Sequence, residues 1–233
     1  MTITTAARSS WAWVTLSSLA VAAYFVGQYA RGSLDSLAHS QTGLAATYAA
    51  RPWPIQVALY FHIVLAGLAL ALGPWQFSKR IRVRHIRIHR VIGRIYLIAV
   101  LVGGVAALVM APFNSVGMVG FFGFGALALL WPWTAWRAYR AVRDRDIASH
   151  QAWMIRCFAL TYAAVTLRLE FAALILIQLP FAGPDADFAV VSANAYAPLA
   201  FLAWLPNLVV AEFMIRRRGL PALYLTTRAI PTV

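Results

Sequence analysis

Six runs of about 20 predominantly apolar residues dominate this chain, and each is long enough to cross a bilayer as a helix. They cover about 11–30, 54–77, 91–111, 119–138, 152–179 and 188–215. No other feature constrains the fold as strongly. In hydrocarbon every backbone N–H and C=O must find a partner within the chain, so each run is confined to helix. Composition agrees. Of the 233 residues, 62% are apolar and 12% charged, against roughly 45–50% and 25% in soluble domains. An ordinary soluble enzyme, a secreted disulfide scaffold and a disordered tail are all excluded. The fold class expected is all-α: a polytopic membrane protein, one integral-membrane unit over 1–233. Spans two to five form a central four-helix bundle.

Charge orients the spans. The formal net charge is +13, from nineteen Arg and one Lys against seven acidic residues. Lys79, Arg80, Arg82, Arg84, Arg87 and Arg90 cluster in 78–90. Arg137, Arg140, Arg143 and Arg145 follow in 137–150, and Arg216, Arg217, Arg218 and Arg228 in the tail. The alternate connections hold Arg31 and Arg51, then no basic residue in 112–118, then Asp185 and Asp187. Basic residues concentrate on the cytoplasmic side. Both termini are therefore expected in the cytoplasm of a bacterial inner membrane, and the basic clusters are expected to meet anionic lipid rather than nucleic acid. The first run reads as an uncleaved span, because no small-x-small site follows it. Segment 31–53, rich in Ala, Ser and Thr, is expected along the outer surface. Cys157 is the lone cysteine, so no intrachain disulfide can form; inside an apolar run it packs as a small apolar residue.

Several short motifs fall in and between the runs: Phe61-His62, Gly73-Pro74-Trp75-Gln76-Phe77, His89-Arg90 and Gly93-Arg94-Ile95-Tyr96. His150-Gln151-Ala152-Trp153-Met154-Ile155-Arg156, Thr166-Leu167-Arg168, and Trp204-Leu205-Pro206-Asn207 with Glu212 follow. Together they resemble a bacterial six-span membrane family, domain of unknown function 2306, over roughly residues 54–216. The resemblance implies a fold and a set of candidate residues, and no activity. A weaker likeness, resting on histidine placement alone, is to the diheme membrane cytochromes of the b-type.

Ionisable residues inside a span are costly and by default suggest function. His62 lies about eight residues into the second span, roughly 12 Å, and Arg168 about sixteen residues into the fifth, roughly 24 Å. These spans run in opposite directions, so the two side chains are expected at comparable depth in the outer half. They read either as a site for an anionic group or a quinone oxygen, or as a polar network that fixes helix pairing. Glu170 points about 200° from Arg168 and is expected to face elsewhere; Asn194 and Asn207 are candidates to join. Glu212 and Arg216, four residues apart, are expected to pair at the interface.

At the inner face, His89 opens the third span and His150 the fifth. Each follows a span that ends in Pro-Trp, and each precedes an Arg, Arg94 or Arg156. This weak repeat puts both histidines at equal depth on alternate, hence diagonal, helices of a bundle. That is the geometry of an axial pair on one haem. Haem b is then the expected cofactor, with His89 and His150 on iron and Arg94 and Arg156 on the propionates. His62 with Arg168 would form a separate site, one that takes quinone. The bland reading makes the two histidines interfacial caps. His85 and His89 could share a helix face and bind a metal with His150, although the alternation Arg80-Ile81-Arg82-Val83-Arg84 argues for extended chain there. No P-loop and no Gly-x-Ser-x-Gly elbow occurs. The glycines in the spans are expected at close helix contacts. The best-supported function is a haem- or quinone-linked membrane redox protein. A cofactor-free permease and a structural or assembly subunit are the alternatives.

Overall fold

The computed structural model describes residues 5–183 and 187–222. Asp185 and Arg228, used above in the charge pattern, lie outside them. Eleven α-helices follow in order: α1 (Thr5–Tyr29), α2 (Leu34–His39), α3 (Ala45–Tyr48), α4 (Trp53–Gln76), α5 (Lys79–Arg84) and α6 (Ile86–Met110). After these come α7 (Gly117–Arg143), α8 (Ile147–Gln178), α9 (Phe188–Tyr196), α10 (Leu199–Leu202) and α11 (Leu205–Arg217). Among the described residues, six stretches are long and apolar enough to cross a membrane: Ser9–Tyr29, Trp53–Gln76, Ile86–Phe113, Gly117–Arg143, Ile147–Phe181 and Phe188–Arg217.

Proline and capping residues set several helix ends. Pro54 sits in the first turn of α4, where its missing N–H costs nothing. α6 and α8 each give way to a single 3₁₀ turn carrying Pro112 or Pro180. The turn from α7 to α8 is tight. Arg145 adopts a positive φ of 61°, and the Asp146 carboxylate caps α8 by accepting from Ser149 N–H at 2.9 Å.

The central bundle is a closed square. α4 packs on α6, α6 on α7, α7 on α8, and α8 back on α4. The diagonals are α4 with α7 and α6 with α8. α1 lies outside, against α4 and α8, and α11 lies against α8. Small residues set the spacing. A Cβ at Gly104 would lie 2.8 Å from Pro132 Cδ, and one at Gly123 would lie 2.6 Å from Ala200 Cβ and O. Both glycines let neighbouring backbones approach, as read from the sequence.

The core between these helices holds one polar hub. Trp131 on α7 donates its indole N–H to Thr161 Oγ1 on α8 at 2.8 Å. Tyr96 Oη on α6 lies 2.8 Å from the same oxygen and 3.3 Å from Cys157 Sγ. Thr161 in turn donates to Cys157 O at 2.9 Å. All four residues are buried.

Three local expectations are corrected. Segment 31–53 does not simply lie along the surface. Leu34, Leu37, Ala45 and Tyr48 recur at helical spacing and bury against Ile55, Leu59 and Met110. Tyr48 Oη donates to Met110 O at 3.3 Å, and Tyr29 Oη accepts from Leu44 N–H at 2.8 Å. The segment plugs one end of the bundle. Next, Lys79–Arg84 is helical rather than extended: Ser78 caps it by accepting from Ile81 N–H, so a local cap outweighs the apparent alternation. The sixth span, finally, is in three pieces, broken around Pro198 and Pro206. Carbonyls left at the breaks are taken by side chains, Ala200 O by the Trp204 indole at 2.7 Å and Ala203 O by Asn207 Nδ2 at 3.2 Å.

Thr161→Val keeps the shape but strands the Trp131 indole N–H and leaves Tyr96 only its longer contact to Cys157 Sγ, at about 1–3 kcal/mol for a group left unsatisfied. Thermal unfolding in detergent should drop by several degrees, whereas Thr161→Ser should stay near wild type. Burial pushes the Tyr48 hydroxyl up to about 12. The folded state thus favours the neutral phenol, and that stabilisation is complete below about pH 10 and lost as pH rises towards 12. Tyr48→Phe should remove one late tyrosine step, near pH 12, from an ultraviolet alkaline titration.

Candidate functional site

The end plugged by α2 and α3 gathers polar side chains from four helices. Arg168 on α8 places its guanidinium 3.5 Å from the centroid of the Phe25 ring on α1. One of its nitrogens, Nη1, bonds the carbonyl of Ala164 one turn back. Its Nε–H is buried with no acceptor, and among the described residues no carboxylate forms an ion pair with it. His62 on α4, Tyr29 on α1 and Tyr196 on α9 all lie within electrostatic range of this guanidinium.

His62 is held by α6. Its Nδ1 lies 3.0 Å from Gly103 O, and only a protonated nitrogen can bond a carbonyl, so Nδ1 carries the hydrogen and Nε2 keeps a lone pair. The ring stands edge-on to Trp131, 6.4 Å between centroids. Two more buried oxygens in this half lack partners, Gln28 Oε1 on α1 and Glu170 Oε2 on α8. Phe25, Gln28, Tyr29 and Tyr196 were not singled out in the sequence. Aromatic and amide residues are ordinary near span ends, and nothing local marks which of them will face a buried cation. Asn194 and Asn207 do not enter this cluster. Asn194 lines a separate groove beside Gln178, and Asn207 Nδ2 donates to Thr166 Oγ1 at 2.9 Å.

At the basic end the histidines sit on diagonal helices. His89 is in the first turn of α6 and His150 in the first turn of α8. They are within electrostatic range of each other. His150 Nδ1 lies 2.9 Å from Ala138 O and so donates to it, leaving Nε2 with a free lone pair. His89 Nδ1 is buried and unpartnered. Two imidazoles so placed suit an axial pair in donor chemistry, and a carbonyl-anchored imidazole is the usual state of a metal-binding histidine.

The arginines divide differently. Arg94 is exposed on α6. Arg156, only 3% exposed, is engaged: Nε and Nη2 donate to the two oxygens of Glu212 on α11, at 2.5 Å and 2.9 Å. Its guanidinium also stacks 4.6 Å from the centroid of the Trp153 ring. A propionate at Arg156 would have to displace Glu212. The expected Glu212–Arg216 pair is corrected by the same contact, because a bidentate fork across helices outcompetes an exposed i, i+4 pair. The three-histidine metal set is not assembled either. Among the described residues no group of three His, Cys, Asp or Glu side chains could hold a metal ion.

Many of the motif residues meet each other. Thr166 meets Asn207, and Arg156 meets Glu212. A Cβ at Gly73 would fall 2.4 Å from the Phe158 ring. Much of the pattern is therefore helix–helix contact. Among the motif residues, His89 Nδ1 and Arg168 Nε are buried without a partner, and His62 and His150 each use Nδ1 on a carbonyl. Compared with known protein families, residues 59–215 match the one described as "Predicted membrane protein (DUF2306)". Searches of curated proteins and of solved structures return no match.

Removing one partner of a buried ion pair costs about 3–5 kcal/mol. Glu212→Ala should therefore destabilise the protein strongly in a detergent melt. The double variant Arg156→Met with Glu212→Leu should recover most of the loss. Equal melting of Glu212→Ala and wild type would show that the pair contributes nothing.

Proposed function

This chain belongs to the DUF2306 family of membrane proteins, and we propose that it binds a quinone head group at the Arg168 cluster. The observation that carries this reading is the buried Arg168 Nε–H, which has no acceptor at bilayer depth. An unpaired guanidinium there is costly and calls for an oxygen acceptor. The surroundings favour a neutral planar carbonyl compound over an inorganic anion. A ring wall is supplied by Phe25 and further hydroxyls by Tyr29 and Tyr196. An isoprenoid tail would remain in lipid. His62 Nε2, with its lone pair, suits a quinol hydroxyl donor. The positive-inside rule favours a cytoplasmic basic end in a bacterial inner membrane, which puts this cluster in the outer half.

The test is binding of a short-chain menaquinone or ubiquinone analogue to detergent-purified protein, followed by calorimetry. Arg168→Gln should raise Kd at least tenfold, about 1.4 kcal/mol, while helical circular dichroism stays unchanged. No binding to wild type, or equal binding to both proteins, overturns the reading.

A second reading is favoured by His89 and His150, which lie within electrostatic range of each other on diagonal helices at one end. In it they ligate haem b, a one-electron carrier, with Arg94 available to a propionate. The reduced-minus-oxidised visible spectrum decides this. A sharp b-type α-band lost in His150→Ala supports it. A colourless protein purified from haem-replete cells removes it and leaves the Arg168 site standing alone.

A further inference from the structure

On the bilayer-facing surface α7, α8 and α11 frame an open groove of about 510 Å³, within the roughly 300–1,000 Å³ of small-molecule sites. Leu130, Leu160, Leu208 and Phe213 line its length. At the basic end it is closed by Trp153, Arg216 and the Arg156–Glu212 pair.

The charges at that end are unequal. Arg156 is neutralised by Glu212. Arg216 is exposed, and among the described residues no carboxylate pairs with it or with Arg137. Arg137 lies over the same wall, its guanidinium 4.6 Å from the Trp153 ring centroid and 5.6 Å from that of Trp133. The result is a long apolar trough whose charged end carries Arg216, a cation without a counterion among the described residues, with a second such cation, Arg137, stacked on its Trp133 and Trp153 wall. Stacking on indole fixes Arg137 without consuming its hydrogen-bond donors.

We infer that this groove is a specific site for one anionic phospholipid, its acyl chain along the trough and its phosphate at Arg216, beside the tryptophan wall that carries Arg137. An acyl chain is the occupant because the groove opens onto the hydrocarbon itself. The anionic class follows from the two unpaired guanidinium groups, which offer forked donors to phosphate oxygens. This is more than the general attraction of basic loops for acidic head groups, at about 1 kcal/mol per residue near the surface. It assigns one lipid to one set of walls. The site is independent of the Arg168 cluster, which draws on other residues.

Native mass spectrometry of the full chain, titrated in detergent with phosphatidylglycerol or phosphatidylcholine of matched acyl chains, tests it. The expected result is a single retained phosphatidylglycerol with at least tenfold preference over phosphatidylcholine. Arg216→Gln should reduce that preference severalfold. Leu208→Trp, which fills the trough and leaves every charge in place, should abolish the retained adduct. Circular dichroism of both variants should match wild type. Equal retention of the two lipids, an adduct unaffected by Leu208→Trp, or a dimer in place of the lipid adduct each overturns the inference.

Discussion

The bundle closes on one hydroxyl. Thr161 Oγ1 takes the Trp131 indole N–H from α7, meets the Tyr96 phenol from α6, and itself belongs to α8. No water is present in the hydrocarbon to take over any of these groups, so each must be satisfied by the others or left costly. A fully satisfied buried network also specifies one arrangement, because a small rotation of any of the three helices breaks it. With those helices set, other positions follow. Trp131 presents its edge to His62, and α6 and α8 stand on a diagonal with His89 and His150 at the same end.

Two further clamps attach the broken sixth span to α8. Thr166 holds Asn207, and Arg156 holds Glu212. The first satisfies a carbonyl at a helix break as well as a side chain. In the second, a buried cation is matched by a bidentate anion and stacked on Trp153. Interhelical polar contacts in membranes are often worth less than 1 kcal/mol each. The greater consequence here is what they leave unpaired. Arg156 and Arg168 lie twelve residues apart on one helix, and only Arg156 has a carboxylate. Arg168 has a ring, its own helix carbonyl and an N–H with no acceptor. That contrast is what the quinone proposal rests on.

Much of this was legible in the residues. Counting along two antiparallel spans put His62 and Arg168 at similar depth, and they do come within electrostatic range. The diagonal relation of the helices carrying His89 and His150 follows from an up-and-down bundle. The partner of Arg156 was not legible. Glu212 is 56 residues away, and the local rule pointed to Arg216 instead. The plug built by Leu34, Leu37, Ala45 and Tyr48 was also missed, since Ala, Ser and Thr around them read as a surface loop until Met110 and Leu59 supply something to bury against.

The sequence by itself determined the class, the six spans and roughly where each ends, because the bilayer imposes one rule on every apolar run and proline marks where a run must stop. It also determined which end of the bundle is basic. Only the tertiary structure decided how polar groups are shared among helices. It assigned Glu212 to Arg156, gave Asn207 to Thr166, and surrounded Arg168 with Phe25, Tyr29 and Tyr196. Such pairings depend on which faces of distant helices meet, and that is set by packing at glycines, by the polar hub and by the breaks in the last span rather than by any local pattern.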